Sequence, residues 1–181
     1  METLDSLGPR ICVMGPSNSG KSTLANAICR ARGLKAVHLD QLSHLPNTDW
    51  ILRPAEEFVA LHDEEITGSE WVIEGNYSRL LPQRLNRATG FILIDVPTTI
   101  SLYRYIKRCS GNNVRHGALE GGRDSVKLSM IRHIIGATRL NRQNYQRMFD
   151  GLDIPKIQIH SQRELAAFYR INGLNVEETK W

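Results

Sequence analysis

Ile11-Cys12-Val13-Met14-Gly15-Pro16-Ser17-Asn18-Ser19-Gly20-Lys21-Ser22-Thr23-Leu24-Ala25-Asn26-Ala27-Ile28 is the stretch that decides the fold. Residues 15–22 fit the pattern G-x-x-x-x-G-K-[ST]. An apolar run precedes them and a helix-like run follows, and strand, loop, helix is the context that gives the pattern physical meaning. Glycines let the backbone curl so that successive N–H groups point inward at phosphate oxygens. The helix that follows adds the partial positive charge of its N-terminus. Lys21 can reach β- and γ-phosphates, and the Ser22 hydroxyl can sit on Mg²⁺. Ser17, Asn18 and Ser19 keep the loop polar, and Pro16 stiffens its entrance. With Thr23 in the first helical turn, Gly15, Pro16, Ser17, Asn18, Ser19, Gly20, Lys21, Ser22 and Thr23 form the candidate nucleotide-binding set.

Outward from this loop the chain alternates strands and helices. Residues 35–40 read as a short strand ending in an acid, Asp40. Pro54 opens a helix that Gly68 stops, and residues 71–74, Trp-Val-Ile-Glu, read as a buried strand. Residues 78–87 form a short helical piece. Phe91-Ile-Leu-Ile-Asp95 is a continuous apolar run of the kind found at the centre of a parallel sheet. Thr98 or Thr99 caps a helix to about Cys109. Residues 110–123 hold four glycines and two asparagines, which predicts a mobile loop. Helical sequence resumes from Asp124 to about Phe149, with Gly136 a point where it can kink or split. Residues 156–160 alternate behind Pro155, as an edge strand does. A last short helix covers residues 164–171; the tail, 172–181, is either disordered or a docking segment. Five strands with intervening helices predict a three-layer α/β/α fold around a parallel sheet. One domain over residues 1–171 suits the length of 181 residues.

Functional sites in such folds lie at the carboxyl ends of the strands. The residues at those ends are the loop 15–22, Asp40, Glu74, Asp95 and His160. Glu74 on an apolar strand is costly to bury without a cation or a donor, so Mg²⁺ or an arginine is expected beside it. Asp40 is a candidate to take a proton or hydrogen bond from an acceptor hydroxyl, or to cap a turn. Asp95 either joins this rim or shapes the turn before Pro97. Trp50, Arg53, Tyr77 and Arg84 are candidates for the acceptor side, Trp50 as a stacking platform or as loop packing.

Composition narrows the class further. There is no apolar run long enough to span a bilayer, and the acidic start, Met1-Glu-Thr-Leu-Asp-Ser, lacks a signal-peptide core. Three unclustered cysteines suit a reducing cytoplasm and offer no zinc spacing. The six histidines show no metal or triad spacing and are read as structural or solvent-facing, His160 excepted by its position. Net charge is +4, but residues 101–150 hold ten basic side chains against three acids, and eight of the ten are arginines. Such a stretch is a polyphosphate grip or a nucleic-acid surface, with solvated helix faces accounting for part of it.

Taken together, the loop, Asp40, Trp71-Val-Ile-Glu-Gly-Asn-Tyr-Ser78, Ile94-Asp-Val-Pro97 and Leu102-Tyr-Arg-Tyr-Ile-Lys-Arg108 resemble the small P-loop kinases related to adenylate kinase. Within that group they most resemble the adenylate-kinase-related topology modulation (FlaR-like) proteins, over about residues 9–170. The resemblance implies the sheet order 2-3-1-4-5, ATP with Mg²⁺, and a short lid at about 110–123. It implies that Glu74 serves Mg²⁺ through water and that Arg104 and Arg108 lead into a lid carrying Arg115 and Arg123. Asp40 would orient the acceptor, and residues near His160 and Ser161 would flank the adenine. Adenylate kinases carry Asp-Gly-Phe-Pro-Arg after the third strand, where this chain has Glu74-Gly-Asn-Tyr-Ser, which argues against AMP as acceptor. The expectation is transfer of the γ-phosphoryl of Mg-ATP to a small acceptor, a nucleotide or nucleoside, by a monomer or homodimer free of membrane. The alternative is a regulatory ATPase or nucleic-acid-associated protein, for which Arg132, Arg139 and Arg142 would supply the contact surface.

Overall fold

The computed structural model describes residues 3–109 and 128–175, and for residues 108, 129, 133 and 137–140 the backbone alone. Arg115 and Arg123, the expected lid, the start of the last long helix and the tail beyond residue 175 lie outside the described residues.

Five parallel strands stand in the order β2-β3-β1-β4-β5. They are β1 (Arg10–Met14), β2 (Ala36–His38), β3 (Trp71–Glu74), β4 (Gly90–Ile94) and β5 (Lys156–Ile159). The helices are α1 (Lys21–Arg32), α2 (Leu39–Ser43), α3 (Ala55–Thr67), α4 (Leu81–Arg87), α5 (Thr98–Cys109), α6 (Leu128–Asp150) and α7 (Gln162–Ile171). The alternation of side chains along each strand splits the core in two. Ile11, Val13, Ile92 and Ile94 pack with Leu24 and Ile28 of α1 and Leu165 and Phe168 of α7. On the other face, Cys12, Met14, Phe91 and Leu93 pack with residues of α3, α4 and α6. Both faces of the sheet are covered, so the central strands are apolar throughout, as a parallel sheet requires. Cys12 and Cys29 are core filler, and burial pushes their thiols up to about 12 and about 11.

The strand expected over residues 35–40 is shorter. Only Ala36–His38 pairs with β3, and the chain turns at once into α2. Leu39 is fully buried and Leu42 packs on the same core cluster. That three-residue spacing suits a helix, and it puts Asp40 in a first helical turn rather than at a strand end. The N-terminal segment forms a short 3-10 turn, Leu4–Leu7, that the sequence reading left unassigned. The tail docks as far as it is described: Asn172 Oδ1 accepts from the Leu4 N–H at 2.7 Å, and Leu174 is buried.

Over its described length α6 runs unbroken through Gly136, where the sequence allowed a kink. Outside the helix's own backbone, a Cβ at Gly136 would meet no atom of the described residues within 4 Å. Glycine in an open helix interior costs about 1 kcal/mol relative to alanine. Gly136→Ala should therefore raise stability by about 0.5–1 kcal/mol, read as a higher urea midpoint. A lower midpoint would show that α6 does not continue through this position.

Candidate active site

The phosphate-binding loop emerges from β1 with Gly15 at φ 148°, and a Cβ there would stand 2.1 Å from the Ile94 carbonyl oxygen. No other residue fits that position, which explains the first glycine of the motif. Asn18 takes φ 62°, a conformation asparagine tolerates better than most. The Gly15 N–H donates to Asn76 Oδ1 at 3.2 Å, and the Asn76 side chain also bonds the Tyr145 hydroxyl on α6. Lys21 Nζ donates to the Pro16 carbonyl across the loop at 2.8 Å. Ser19 Oγ is buried and has no hydrogen-bond partner among the described residues.

Strand register brings the next group together. Val13, Glu74 and His38 occupy one row across β1, β3 and β2. Glu74 is only 4 % exposed. Its Oε1 accepts from Ser22 Oγ at 2.8 Å and lies 2.9 Å from His38 Nδ1. Burial alone would push the Glu74 carboxyl up. The His38 and Ser22 hydrogen bonds and the nearby Lys21 charge outweigh it and hold the group below its ordinary value. A serine hydroxyl beside an ionised carboxylate is the hard-oxygen donor set that Mg²⁺ takes, one or two protein oxygens with phosphates and waters completing the shell. Among the described residues no cluster of three or more His, Cys, Asp or Glu forms a self-sufficient metal site. The residues present therefore fit a cation that arrives with phosphates.

Asp40 belongs to a second network. Tyr77 donates its hydroxyl to Asp40 Oδ1 at 2.7 Å and also contacts Ser43 Oγ. Burial first, then the Asp40 carboxylate, raise the Tyr77 phenol above its ordinary value, so it stays a donor. The Tyr77 ring meets Phe58 edge-on at 5.1 Å between centroids. Beside this pair lies a cavity of about 290 Å³ lined by Ala55, Phe58, Val59, Tyr77, Arg79 and Leu80.

Residues 44–52 form a small hairpin closed by the His44–Leu52 bridge, and its Ile51 and Leu52 side chains are exposed. Trp50, at φ 60°, sets its ring edge-on to His44 at 5.1 Å, so in this structure it packs the loop. Arg53 braces the same hairpin: Nε donates to the Leu42 carbonyl at 2.9 Å, and Nη1 pairs with Glu57 at 3.5 Å.

Several candidates from sequence have other partners. Arg84, expected on the acceptor side, is 1 % exposed and donates from Nη2 to the Asn76 and Tyr77 carbonyls at 3.1 and 3.5 Å. Its guanidinium is buried against the backbone of the 75–78 loop. Asp95 accepts from Arg142 Nε at 2.6 Å, and Arg142 Nη2 also donates to the Val96 carbonyl at 2.9 Å. That pair ties α6 to the end of β4, occupying one cation of the expected nucleic-acid surface. Arg104 donates from Nη1 to the Ser19 carbonyl at 2.7 Å and from Nη2 to Gln162 Oε1, clamping the phosphate-binding loop against α7. The side chains of Arg108 and Arg139 lie outside the described residues. Ser161 caps α7: its Oγ accepts from the Glu164 N–H at 3.2 Å, while Glu164 Oε2 accepts from the His160 N–H at 2.7 Å. The serine cap is the one the S-x-x-E spacing signals, with the glutamate reaching back one residue further than a capping box requires, to the His160 N–H.

Sequence reasoning missed His38 and Asn76 as members of the site. His38 carried a weak signal, two positions before Asp40 at the end of a predicted strand; its partner lies 36 residues away. Asn76 lies within the quoted Trp71–Ser78 block but was assigned no role.

No protein-family model and no curated protein sequence matches the chain. Solved structures do. A gluconokinase from Sinorhizobium meliloti 1021 is 17 % identical, with 92 % of this chain and 95 % of that one covered at a TM-score of 0.54. A shikimate kinase from Acinetobacter baumannii, solved in complex with shikimate, is 12 % identical, with coverage of 90 % and 92 % and a TM-score of 0.59. The chain has the P-loop kinase fold. A shikimate kinase from Bacteroides thetaiotaomicron is similar in the same way, 15 % identical with coverage of 90 % and 95 % and a TM-score of 0.52. Among the described residues no helix is long and apolar enough to cross a membrane.

A pH experiment tests the Glu74 assignment. A carboxylate with a depressed native pKa stabilises the fold fully above its unfolded value, and the contribution fades as pH falls through the native value. The stability gap between wild type and Glu74→Gln should be full above the ordinary carboxylate range and narrow as pH falls below it, measured by urea unfolding. A gap independent of pH would show that Glu74 is not held ionised.

Proposed function

We propose that this chain is an ATP-dependent phosphotransferase that moves the γ-phosphoryl of Mg-ATP to the hydroxyl or phosphate of a small acceptor. The observation that carries the reading is the Ser22–Glu74 pair, 2.8 Å apart, at the mouth of a loop that presents Lys21. Backbone N–H groups of residues 15–22 would hold the phosphates, Lys21 would neutralise β- and γ-oxygens, and Ser22 with Glu74 would receive the cation. Bound with ATP, Mg²⁺ supplies charge neutralisation across the phosphates. Asp40, oriented by Tyr77, would accept a hydrogen bond or proton from the acceptor hydroxyl. The apolar cavity beside Tyr77 would seat the acceptor's body, with Trp50 and Arg53 of the neighbouring hairpin on its approach. Arg104 would steady the loop from outside. Arg108, Arg115 and Arg123 enter the proposal as lid residues from the sequence resemblance, as does the single-domain organisation over residues 1–171.

The topology-modulation resemblance belongs to the same reading, as does the expectation of a cytoplasmic protein. A nucleotide or nucleoside remains the first acceptor class to test. The names of the similar structures, gluconokinase and shikimate kinase, support adding sugar acids and related hydroxy acids to the acceptors tested. Of the residues named for the nucleic-acid alternative, Arg142 is bonded to Asp95 and the Val96 carbonyl, Arg132 is exposed, and the Arg139 side chain lies outside the described residues.

Lys21→Ala should reduce ATP binding at least tenfold by calorimetry, and unchanged binding would remove the phosphate-loop reading. With γ-labelled ATP and a panel of nucleosides, nucleoside monophosphates, sugar acids and water, label should reach one organic acceptor class faster than water. Asp40→Asn should then lower transfer by about 10²-fold or more while leaving ATP affinity within about threefold. Equal losses in both would exclude Asp40 from the acceptor side. Label reaching water alone would exclude a kinase.

A further inference from the structure

His38 ends β2 in register with Glu74 and is 6 % exposed. Its two ring nitrogens meet different partners. Nδ1 lies 2.9 Å from Glu74 Oε1, and Nε2 lies 3.0 Å from Asn26 Nδ2. Asn26 Nδ2 is also 2.8 Å from the Ser22 carbonyl oxygen one turn earlier on α1. These contacts fix the proton inventory. A carbonyl oxygen only accepts, so the Asn26 atom facing it must be the amide nitrogen; the flipped side chain would set two acceptors together. A carboxamide nitrogen has two hydrogens and accepts nothing. One goes to the Ser22 carbonyl and the other to His38 Nε2, which must therefore carry the lone pair. The ring proton then sits on Nδ1 and is donated to Glu74 Oε1. That oxygen receives a second hydrogen bond from the Ser22 hydroxyl. Two donors on one oxygen fix the rotation of the carboxylate, and they leave the Ser22 oxygen its lone pairs for a cation.

We propose that His38 is a positioning residue for the nucleotide-bound cation: set in its Nδ1–H tautomer by Asn26, it holds the Glu74 carboxylate in the orientation that receives cation-bound water. The proposal rests on the phosphate-binding reading above. It extends the site to a four-residue relay, Ser22, Asn26, His38 and Glu74, drawn from one helix and two strands. Outer-shell partners of this kind tune metal affinity because they orient the groups that touch the metal or its waters.

Two measurements test it. Long-range ¹H–¹⁵N correlation spectra of the labelled protein without nucleotide should show the Nδ1–H pattern for His38. An Nε2–H pattern or an equal mixture overturns the assignment. Mn²⁺ binding in the presence of ADP, followed by the EPR signal of free Mn²⁺, reads the cation site without turnover. His38→Leu should weaken Mn²⁺ by about tenfold or more. His38→Asn, whose amide nitrogen can stand where Nδ1 stands, should stay within about threefold of wild type. Should the leucine variant fail to fold, Asn26→Ala serves: it removes the donor to Nε2, and the Nδ1–H signal should lose dominance with a several-fold loss of Mn²⁺ affinity. Unchanged affinity in His38→Leu or Asn26→Ala, or an equal loss in the asparagine and leucine variants, overturns the role of His38 alone. Wild-type protein that binds no Mn²⁺ with ADP overturns both this proposal and the reading it rests on.

Discussion

A carboxylate sealed among apolar strands is the constraint on which the rest of the site depends. An uncompensated buried carboxylate costs several kcal/mol or neutralises itself. Glu74 escapes that by taking hydrogen bonds from Ser22 and His38 and by feeling the charge of Lys21. Each partner comes from a different element. Ser22 and Lys21 require α1 to begin directly after the loop, and His38 requires β2 to pair with β3 in one register only. A one-residue slip of β2 would turn His38 to the opposite face and leave the carboxylate short of a donor. Sheet order, loop geometry and helix start are thus held to one arrangement by a single polar atom, Glu74 Oε1.

The half of the site near Asp40 is built on different physics. Tyr77 joins an apolar layer, through its ring on Phe58, to a polar one, through its hydroxyl on Asp40. Arg84 supports the same segment from inside the core by binding its backbone carbonyls. The hairpin at residues 44–52 is tied to that network at its base, where His44 Nδ1 meets Ser43 Oγ and the Asp40 carbonyl oxygen, and the His44 ring packs on Trp50. Its far end carries exposed Ile51 and Leu52.

What was legible in the sequence follows from how far each signal reaches. The loop, the continuous apolar strands and the Pro155-flanked edge strand are local patterns, and the sheet bears them out. The turn from β2 into α2 was not legible, because Val37-His-Leu-Asp-Gln-Leu suits strand and helix alike until Leu39 and Leu42 find the core. The His38–Glu74 contact spans 36 residues and the Gly15–Asn76 contact spans 61, so no local spacing announces them. The partners of the arginines were illegible for a related reason. Charge counts show that Arg84, Arg104 and Arg142 are cations, but not that each already has carbonyl or carboxylate partners within the chain. The Ser161 cap of α7 was readable from the S-x-x-E spacing, because both of its partners lie within four residues.

The double attachment of Tyr77 limits how such a protein can change its diet. Its ring rests on Phe58 of α3 and its hydroxyl steadies Asp40, so enlarging the cavity by moving α3 would also disturb the proposed reacting group. Binding and chemistry are mechanically coupled along that wall. The hairpin at residues 44–52 meets that wall at His44, whose Nδ1 lies 2.7 Å from Ser43 Oγ and 2.8 Å from the Asp40 carbonyl oxygen, while Ile51 and Leu52 at its far end are exposed. Substitutions at that exposed end, rather than along α3 or at His44, are the ones that leave the proposed reacting group undisturbed.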